Sequence, residues 1–230
     1  MNEHIVRSYD EELNTLSAEC TRMGGLTESQ VADAITAVVK RNQDLAAAVV
    51  ARDDKLDVAE QEIERKAIRL IALRQPMADD LRRTVAAMKV ANNLERCGDL
   101  AKNIAKRTLV IIESDPLTPL TRSIDRMGKL VLTRLTSVLD AFSRSDLERA
   151  LAVWSQDDEV DEHYNSLFRE LVTYMMGDPR TITACAHMLF VAKNLERIGD
   201  HATNIAEIIH YQVTGDDMID PRPKTDDLMR

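Results

Sequence analysis

Glu95 and Asp99 stand four residues apart, as do Glu196 and Asp200, and each pair is followed four residues later by an asparagine, Asn103 or Asn204. On an α-helix this spacing stacks two carboxylates and an amide along one stripe. Like charges so placed repel, by about 0.2–0.5 kcal/mol in an isolated helix. A pattern that repeats this repulsion calls for a compensating cation. A second acidic spacing, Asp53/Asp57 and Asp157/Asp161, also occurs twice. Four carboxylates and an amide make an all-oxygen donor set. Such a set suits Mg²⁺, Mn²⁺, Ca²⁺ or iron and does not suit a Cys/His zinc site.

The elements that position these acids are themselves repeated. Val90 to Ala105 (VANNLERCGDLAKNIA) returns as Val191 to Ala206 (VAKNLERIGDHATNIA), with 12 of 16 positions identical. Arg22-Met23-Gly24 returns as Arg126-Met127-Gly128, and Asp53-Asp54…Asp57 as Asp157-Asp158…Asp161, both 104 residues on. The glutamate motif returns after 101, so the second copy lacks three residues between its second and third helices. Prolines at 76, 116, 119 and 179 punctuate long stretches with helical periodicity. The first helix is expected from about Ile5 to Val39, with Leu13, Leu16, Met23, Leu26, Val31, Ile35 and Val38 inward. Gly24-Gly25 weakens that helix without ending it. A short piece, Asp44 to Val50, leads to a second helix, Lys55 to Arg74, for which Asp53 or Asp54 offers a cap. A third helix follows Pro76 and runs to about Ile112. The expected fold is all-α: a tandem duplication of two antiparallel three-helix bundles, residues 1–115 and 116–215, with 216–230 an extended tail. Glu113 to Pro119 is the expected boundary.

Folding helices two and three back on each other at Pro76 brings Asp57 level with Glu95 and Asp53 level with Asp99. A turn between Asp178 and Pro179 does the same for Asp161 with Glu196 and Asp157 with Asp200. Measured from a core seam of Leu94, Ala101 and Ile104, both acidic pairs rotate to the same side of the hairpin. The acids are therefore expected on the bundle flank, open to solvent and outside the core. Gly98 and Gly199, between the acids, leave room for a close neighbour. Ordinary surface ion pairs are the competing account, because Arg96 and Arg197 lie three residues before Asp99 and Asp200. His201 either adds a nitrogen to the second site or faces solvent, and Met175, Met176 and Met188 read as core.

Composition narrows the function. With 44% apolar, 30% charged and only 3% aromatic residues, the chain favours a helical core over a sandwich or barrel. A formal charge of −9 argues against nucleic acid as the main partner. The polar N-terminus and the lack of a long apolar run point to a cytoplasmic protein that does not insert into a membrane. Cys20, Cys97 and Cys185 are widely spaced and read as reduced, buried thiols. No Gly-rich phosphate loop occurs.

At LERCGDLAKNIA and LERIGDHATNIAE the chain resembles the PhoU family of phosphate-signalling and phosphate transport regulators. The Met-Gly-Gly of the first helix, the two DDxxD runs, Pro76 to Arg82 and Asp178 to Ile182 extend the likeness over nearly the whole chain. The resemblance implies a cytoplasmic negative regulator of phosphate uptake. It would couple the ATPase of a phosphate ABC transporter to a membrane sensor histidine kinase, as a homodimer. It also implies surface metal sites, for iron, magnesium, manganese or zinc, at Asp53/Asp57 with Glu95/Asp99 and Asp157/Asp161 with Glu196/Asp200. Leu100 and Lys102 depart from the His201 and Thr203 of the second motif, and Lys102 brings a cation beside the first site. Two rivals remain. A carboxylate-bridged di-iron enzyme needs paired ExxH motifs, and Glu207…His210 is the only one. A metal-independent helical docking adaptor keeps the regulatory role without the ion.

Overall fold

A computed structural model describes residues 2–114 and 117–218, with side chains from residue 11 onward. The expected tail from 219, and Asp115 and Pro116 of the expected boundary, lie outside the described residues. Among these residues the chain forms α1 (Asn2–Lys40), α2 (Gln43–Arg52), α3 (Asp54–Arg74), α4 (Asp79–Ile111), α5 (Thr118–Arg144), α6 (Leu147–Trp154), α7 (Asp158–Gly177), a 3₁₀ turn (Pro179–Thr181) and α8 (Ile182–Thr214), and no strand.

Local chemistry sets the boundaries. Asn42 caps α2 by accepting a hydrogen bond from the Leu45 N–H, and Asp146 caps α6 through the Arg149 N–H. The α3–α4 hairpin turns over residues 75–78, starting with Gln75 in the left-handed conformation before Pro76. The α7–α8 hairpin turns at extended Asp178 and Pro179. Both turns fall where the acidic spacing places them. The short piece before helix two is a helix of 10 residues, α2, and it has a counterpart in α6 that the sequence reading does not anticipate. Asp53 stands at the head of α3 but makes no cap bond, because its carboxylate is engaged elsewhere.

The two halves share one continuous core. Within it α4 packs most extensively on α8, and α1 lies against α5. The recurring Arg-Met-Gly is explained here. A Cβ at Gly24 would meet Leu139 Cδ2 at 2.7 Å, and a Cβ at Gly128 would meet Ile35 Cγ2 at 2.7 Å. Each glycine admits a side chain from the opposite half, so the pair is reciprocal, and α1 runs through Gly24-Gly25 without a break.

Most of the expected inward stripe is buried, but Leu26 is 45% exposed. Four residues on from Met23, Thr27 takes the inward place and donates to the Leu94 carbonyl. Met188 is buried, whereas Met176, next to the hairpin turn, is 82% exposed. The three cysteines are free and buried, and desolvation lifts the Cys20 thiol to about 12, which suppresses the thiolate.

Candidate metal centre

The first acidic cluster forms where α3 begins beside the middle of α4. Asp53 is 1% exposed, and the expected position outside the core is wrong for it. It is covered by α1, from which Gln30 Nε2 donates to Asp53 Oδ1 at 3.1 Å and to the Gly98 carbonyl at 3.4 Å. From α4, Lys102 Nζ donates to Asp53 Oδ2 and, at 3.3 Å, to Asp99 Oδ1. Asp57, Glu95 and Asp99 are half-buried. Arg96 lies 3.7 Å from Asp99, so the ion pair expected from its spacing forms, and it also lies 3.4 Å from Glu95. Asn103 is exposed on α4.

Electrostatics record how crowded this cluster is. Desolvation and then the charge of Asp53 raise the Asp57 carboxyl above the ordinary range, against the pull of Lys102. Glu95 is also raised, chiefly by desolvation, with Asp99, Asp57 and Glu60 adding repulsion. Lys102 is held well above the usual lysine range, first by its hydrogen bond to Asp53. The four acids are thus near enough to feel one another, as the hairpin levels require.

The second cluster uses the same frame with different donors. Asp157 is 3% exposed, again within the core, and accepts a 2.7 Å hydrogen bond from Thr203, the counterpart of Lys102. Arg134, the counterpart of Gln30, is 3% exposed. Its Nη2 donates to the Gln156 carbonyl and lies 3.2 Å from Glu159. Glu196 Oε1 accepts from Lys193 at 2.7 Å, and Asp161 and Asp200 are half-buried. Asn204 donates to Asn93 of α4 at 3.4 Å, and His201 Nδ1 lies 2.9 Å from the same oxygen, so both side chains help to hold α8 against the first half.

Gln30 and Arg134 are the residues that sequence reasoning missed. Their signal was available: each is a polar residue on the inward stripe of its helix, at positions 104 apart.

Whether a metal ion fits differs between the halves. Among the described residues, no three His, Cys, Asp or Glu side chains are gathered as a ready metal site. In the first half the Lys102 ammonium bridges Asp53 and Asp99, where a metal would have to bridge them, so that cluster does not suit one. The second offers the same carboxylates with a neutral hydroxyl in place of the ammonium. Glu196 Oε2 there is buried without a hydrogen-bond partner, as is Glu95 Oε2 in the first half, so the halves differ in the Lys102/Thr203 position and not in this oxygen.

Residues 20–108 and 124–209 each match the PhoU domain. The chain belongs to the PhoU family. Its halves are thus two PhoU domains in tandem. The chain is 67% identical over 228 residues to the phosphate-specific transport system accessory protein PhoU homolog of Caulobacter vibrioides, covering 99% of each chain. The homolog of the same description from Rhizobium meliloti is 48% identical, over 97% of this chain and 94% of the relative. The crystal structure of PhoU from Pseudomonas aeruginosa superposes with a TM-score of 0.88 at 38% identity, over 90% of this chain and all of that one. The helical tandem repeat is therefore shared with solved PhoU structures. Among the described residues, no helix is long and apolar enough to cross a membrane.

Proposed function

We propose that this chain is a regulatory accessory protein of a phosphate transport system that restrains uptake when phosphate is plentiful. The observation that carries this reading is end-to-end similarity, at 67% identity, to a relative named as such an accessory protein. In the proposed mechanism the chain works in the cytoplasm as a homodimer. It contacts the ATPase of a phosphate ABC transporter and holds a membrane sensor histidine kinase in its non-signalling state. It carries out no catalysis, binds no nucleic acid and inserts into no membrane. The long helical faces supply docking surface, and the second acidic cluster holds a hard metal ion through Asp157, Asp161, Glu196 and Asp200. Bound there, the ion would supply positive charge to offset carboxylate repulsion and fix the α7–α8 hairpin.

The di-iron reading finds no support in its only ExxH motif. Glu207 accepts from the Trp154 indole at 3.1 Å, and His210 lies beside the Asp216 carbonyl at 3.0 Å.

Deleting the gene and following a phosphate-starvation reporter in phosphate-replete medium tests the regulatory role. Derepression that is restored by the full-length chain is expected. Unchanged reporter output and unchanged phosphate uptake would sink it. Cross-linking in cells to the transporter ATPase and the kinase tests the partners separately, and loss of both products would leave regulation without the proposed route.

A further inference from the structure

We infer that the exposed face of the α4–α8 seam carries, beside Ile208, a docking groove for a partner-protein segment that presents an aromatic side chain next to an arginine. This deepens the proposed accessory role and rests on it for the existence of a protein partner. Asn93 meets His201 and Arg107 meets His187, so α4 and α8 run antiparallel. The offset of 101 residues that relates the two motif copies therefore exchanges the two ends of their seam. At one end the chain supplies an aromatic–arginine pair itself. The Arg107 guanidinium lies 4.4 Å from the centroid of the Phe190 ring, and Arg107 Nη1 lies 3.3 Å from His187 Nδ1. At the other end the matching positions hold Lys89 for Phe190, Ile208 for Arg107 and Ala86 for His187. Lys106, beside Arg107, is matched by Glu207. A groove of about 230 Å³ lies there, with Val85, Ala86, Lys89, Glu207 and Ile208 in its lining.

The occupant follows from the lining. Val85, Ala86 and Ile208 offer apolar surface, and Phe190 shows at the matching place that this frame carries a ring with a guanidinium over it. Charge selects the companion. A second hollow of about 320 Å³ continues the groove past Lys89 and Ile208. Lys89 is the one cation lining either, whereas Glu207 and Asp217 line the first and Glu60 and Glu64 the second. Lys89 itself lies 5.9 Å from the centroid of the Tyr211 ring, which attracts its charge. Glu207 accepts from the neutral Trp154 indole at 3.1 Å. Burial and then repulsion from Glu64 raise the Glu60 carboxyl above its ordinary range, so an arriving guanidinium would relieve that repulsion. The same carboxylates would repel an acidic segment. Aromatic residues and arginine are also the side chains that most often anchor protein interfaces.

Trp154 is the single tryptophan of the chain, and its bond to Glu207 makes its emission a reporter of the groove. The full-length chain is titrated with a short peptide carrying one Phe-Arg pair, and with versions that replace the Arg by Glu or the Phe by Ala. Saturable binding of the Phe-Arg peptide is expected, weakened about tenfold or more in either version. Calorimetry then compares groove variants whose melting shows them folded. Ile208→Arg should abolish binding, Glu207→Gln should weaken it about tenfold, and Phe190→Ala at the other end should leave it unchanged. No binding of any peptide, equal binding of the Glu version, or indifference to both groove variants would overturn the inference. Dissociation of a dimer by Ile208→Arg would assign the groove to a second copy of the chain, and tighter peptide binding by Arg222→Glu would assign it to the chain's own residues; either result overturns the inference. In cells, Ile208→Arg should derepress the phosphate-starvation reporter as far as the gene deletion does. Full repression by that variant, beside a deletion that derepresses, would sink the groove and leave the accessory role standing. A deletion without effect would sink the accessory role, and the peptide titration would still decide whether the groove binds.

Discussion

The two halves meet the same problem with opposite assignments of charge. Each buries an aspartate where a short helix hands over to a long one, Asp53 before α3 and Asp157 before α7. In the first half α1 supplies a neutral donor, Gln30, and α4 supplies a cation, Lys102. In the second half α5 supplies a cation, Arg134, to the residues flanking Asp157, and α8 supplies the neutral donor, Thr203. Duplicated backbones therefore preserve the burial of the acid and leave open which neighbour brings the charge. The buried aspartate thus meets an ammonium in one half and a hydroxyl in the other.

The largest expected effect breaks this comparison at Lys102. Replacing it by methionine leaves Asp53 buried without its cation, and stranding one member of a buried pair costs about 3–5 kcal/mol. Partial exposure of Lys102 puts the expectation at the lower end, about 3 kcal/mol. Adding Asp53→Asn should recover most of it. Thr203→Val removes only a hydroxyl from Asp157, at about 1–3 kcal/mol. Urea unfolding of the metal-free variants gives these values, and equal costs at the two sites would dissolve the asymmetry. The Lys102 contribution also has a pH signature. Its folded pKa is raised, so the stabilisation is fully present below the unfolded lysine value of about 10.4 and is lost only as pH rises through the folded value. Between pH 6 and 9 the gap between wild type and Lys102→Met should be flat with respect to this group.

The next effect concerns the glycines between the acids. A Cβ at Gly98 would lie 2.3 Å from Leu56 Cδ1, and Leu56 is 1% exposed with little freedom to turn away. At Gly199 the nearest atom is Val160 Cγ1 at 3.4 Å, an ordinary contact. Gly98→Ala should destabilise by about 1–3 kcal/mol through overpacking. Gly199→Ala should be neutral or stabilise by up to about 1 kcal/mol, because alanine is the better helix former. The same glycine in the same motif thus serves two different packings. Thermal unfolding of both variants checks this, and a matched loss at the two sites would show that α3 and α7 approach equally closely.

Much of this frame is legible in the sequence, for identifiable reasons. Proline and left-handed turn positions act locally, so the α3–α4 and α7–α8 turns fall where the acidic spacing requires. The motif repeat gives the tandem fold, because duplicated periodicity survives drift at individual positions. What depends on a second half pressed against the first is harder to read. Gly24 and Gly128 look like helix weakeners until Leu139 and Ile35 are seen against them. The depth of Asp53 follows from Gln30 of α1, a helix absent from a two-helix account of the hairpin. Asn204 fits an acidic stripe by spacing, and its contact with Asn93 on a helix of the other half cannot be read from that spacing. Lys102 stands out as a departure in the motif, but its reach to Asp53 needs the two helices side by side.

The smallest expected effect isolates the electrostatic strain of the first cluster. Burial, with repulsion from Asp99, Asp57 and Glu60, raises the folded pKa of Glu95 above its unfolded value, although Arg96 partly offsets this. The folded chain therefore holds that proton more tightly than the unfolded chain does, and ionisation of Glu95 opposes folding. The penalty is complete once pH exceeds the folded value and vanishes as pH falls below the unfolded value of about 4.3. Glu95→Gln should then melt above wild type at pH 7, and its advantage should fade as pH drops through the carboxylate range. Added Mn²⁺ should leave the pH 7 advantage unchanged, because the Lys102 ammonium already lies between Asp53 and Asp99. If Mn²⁺ instead erased the advantage by stabilising wild type alone, Glu95 would be a metal ligand and Lys102 would be a side chain that yields to the ion. That single comparison, at one pH with and without manganese, asks whether the two halves differ in chemistry or only in which cation each holds first.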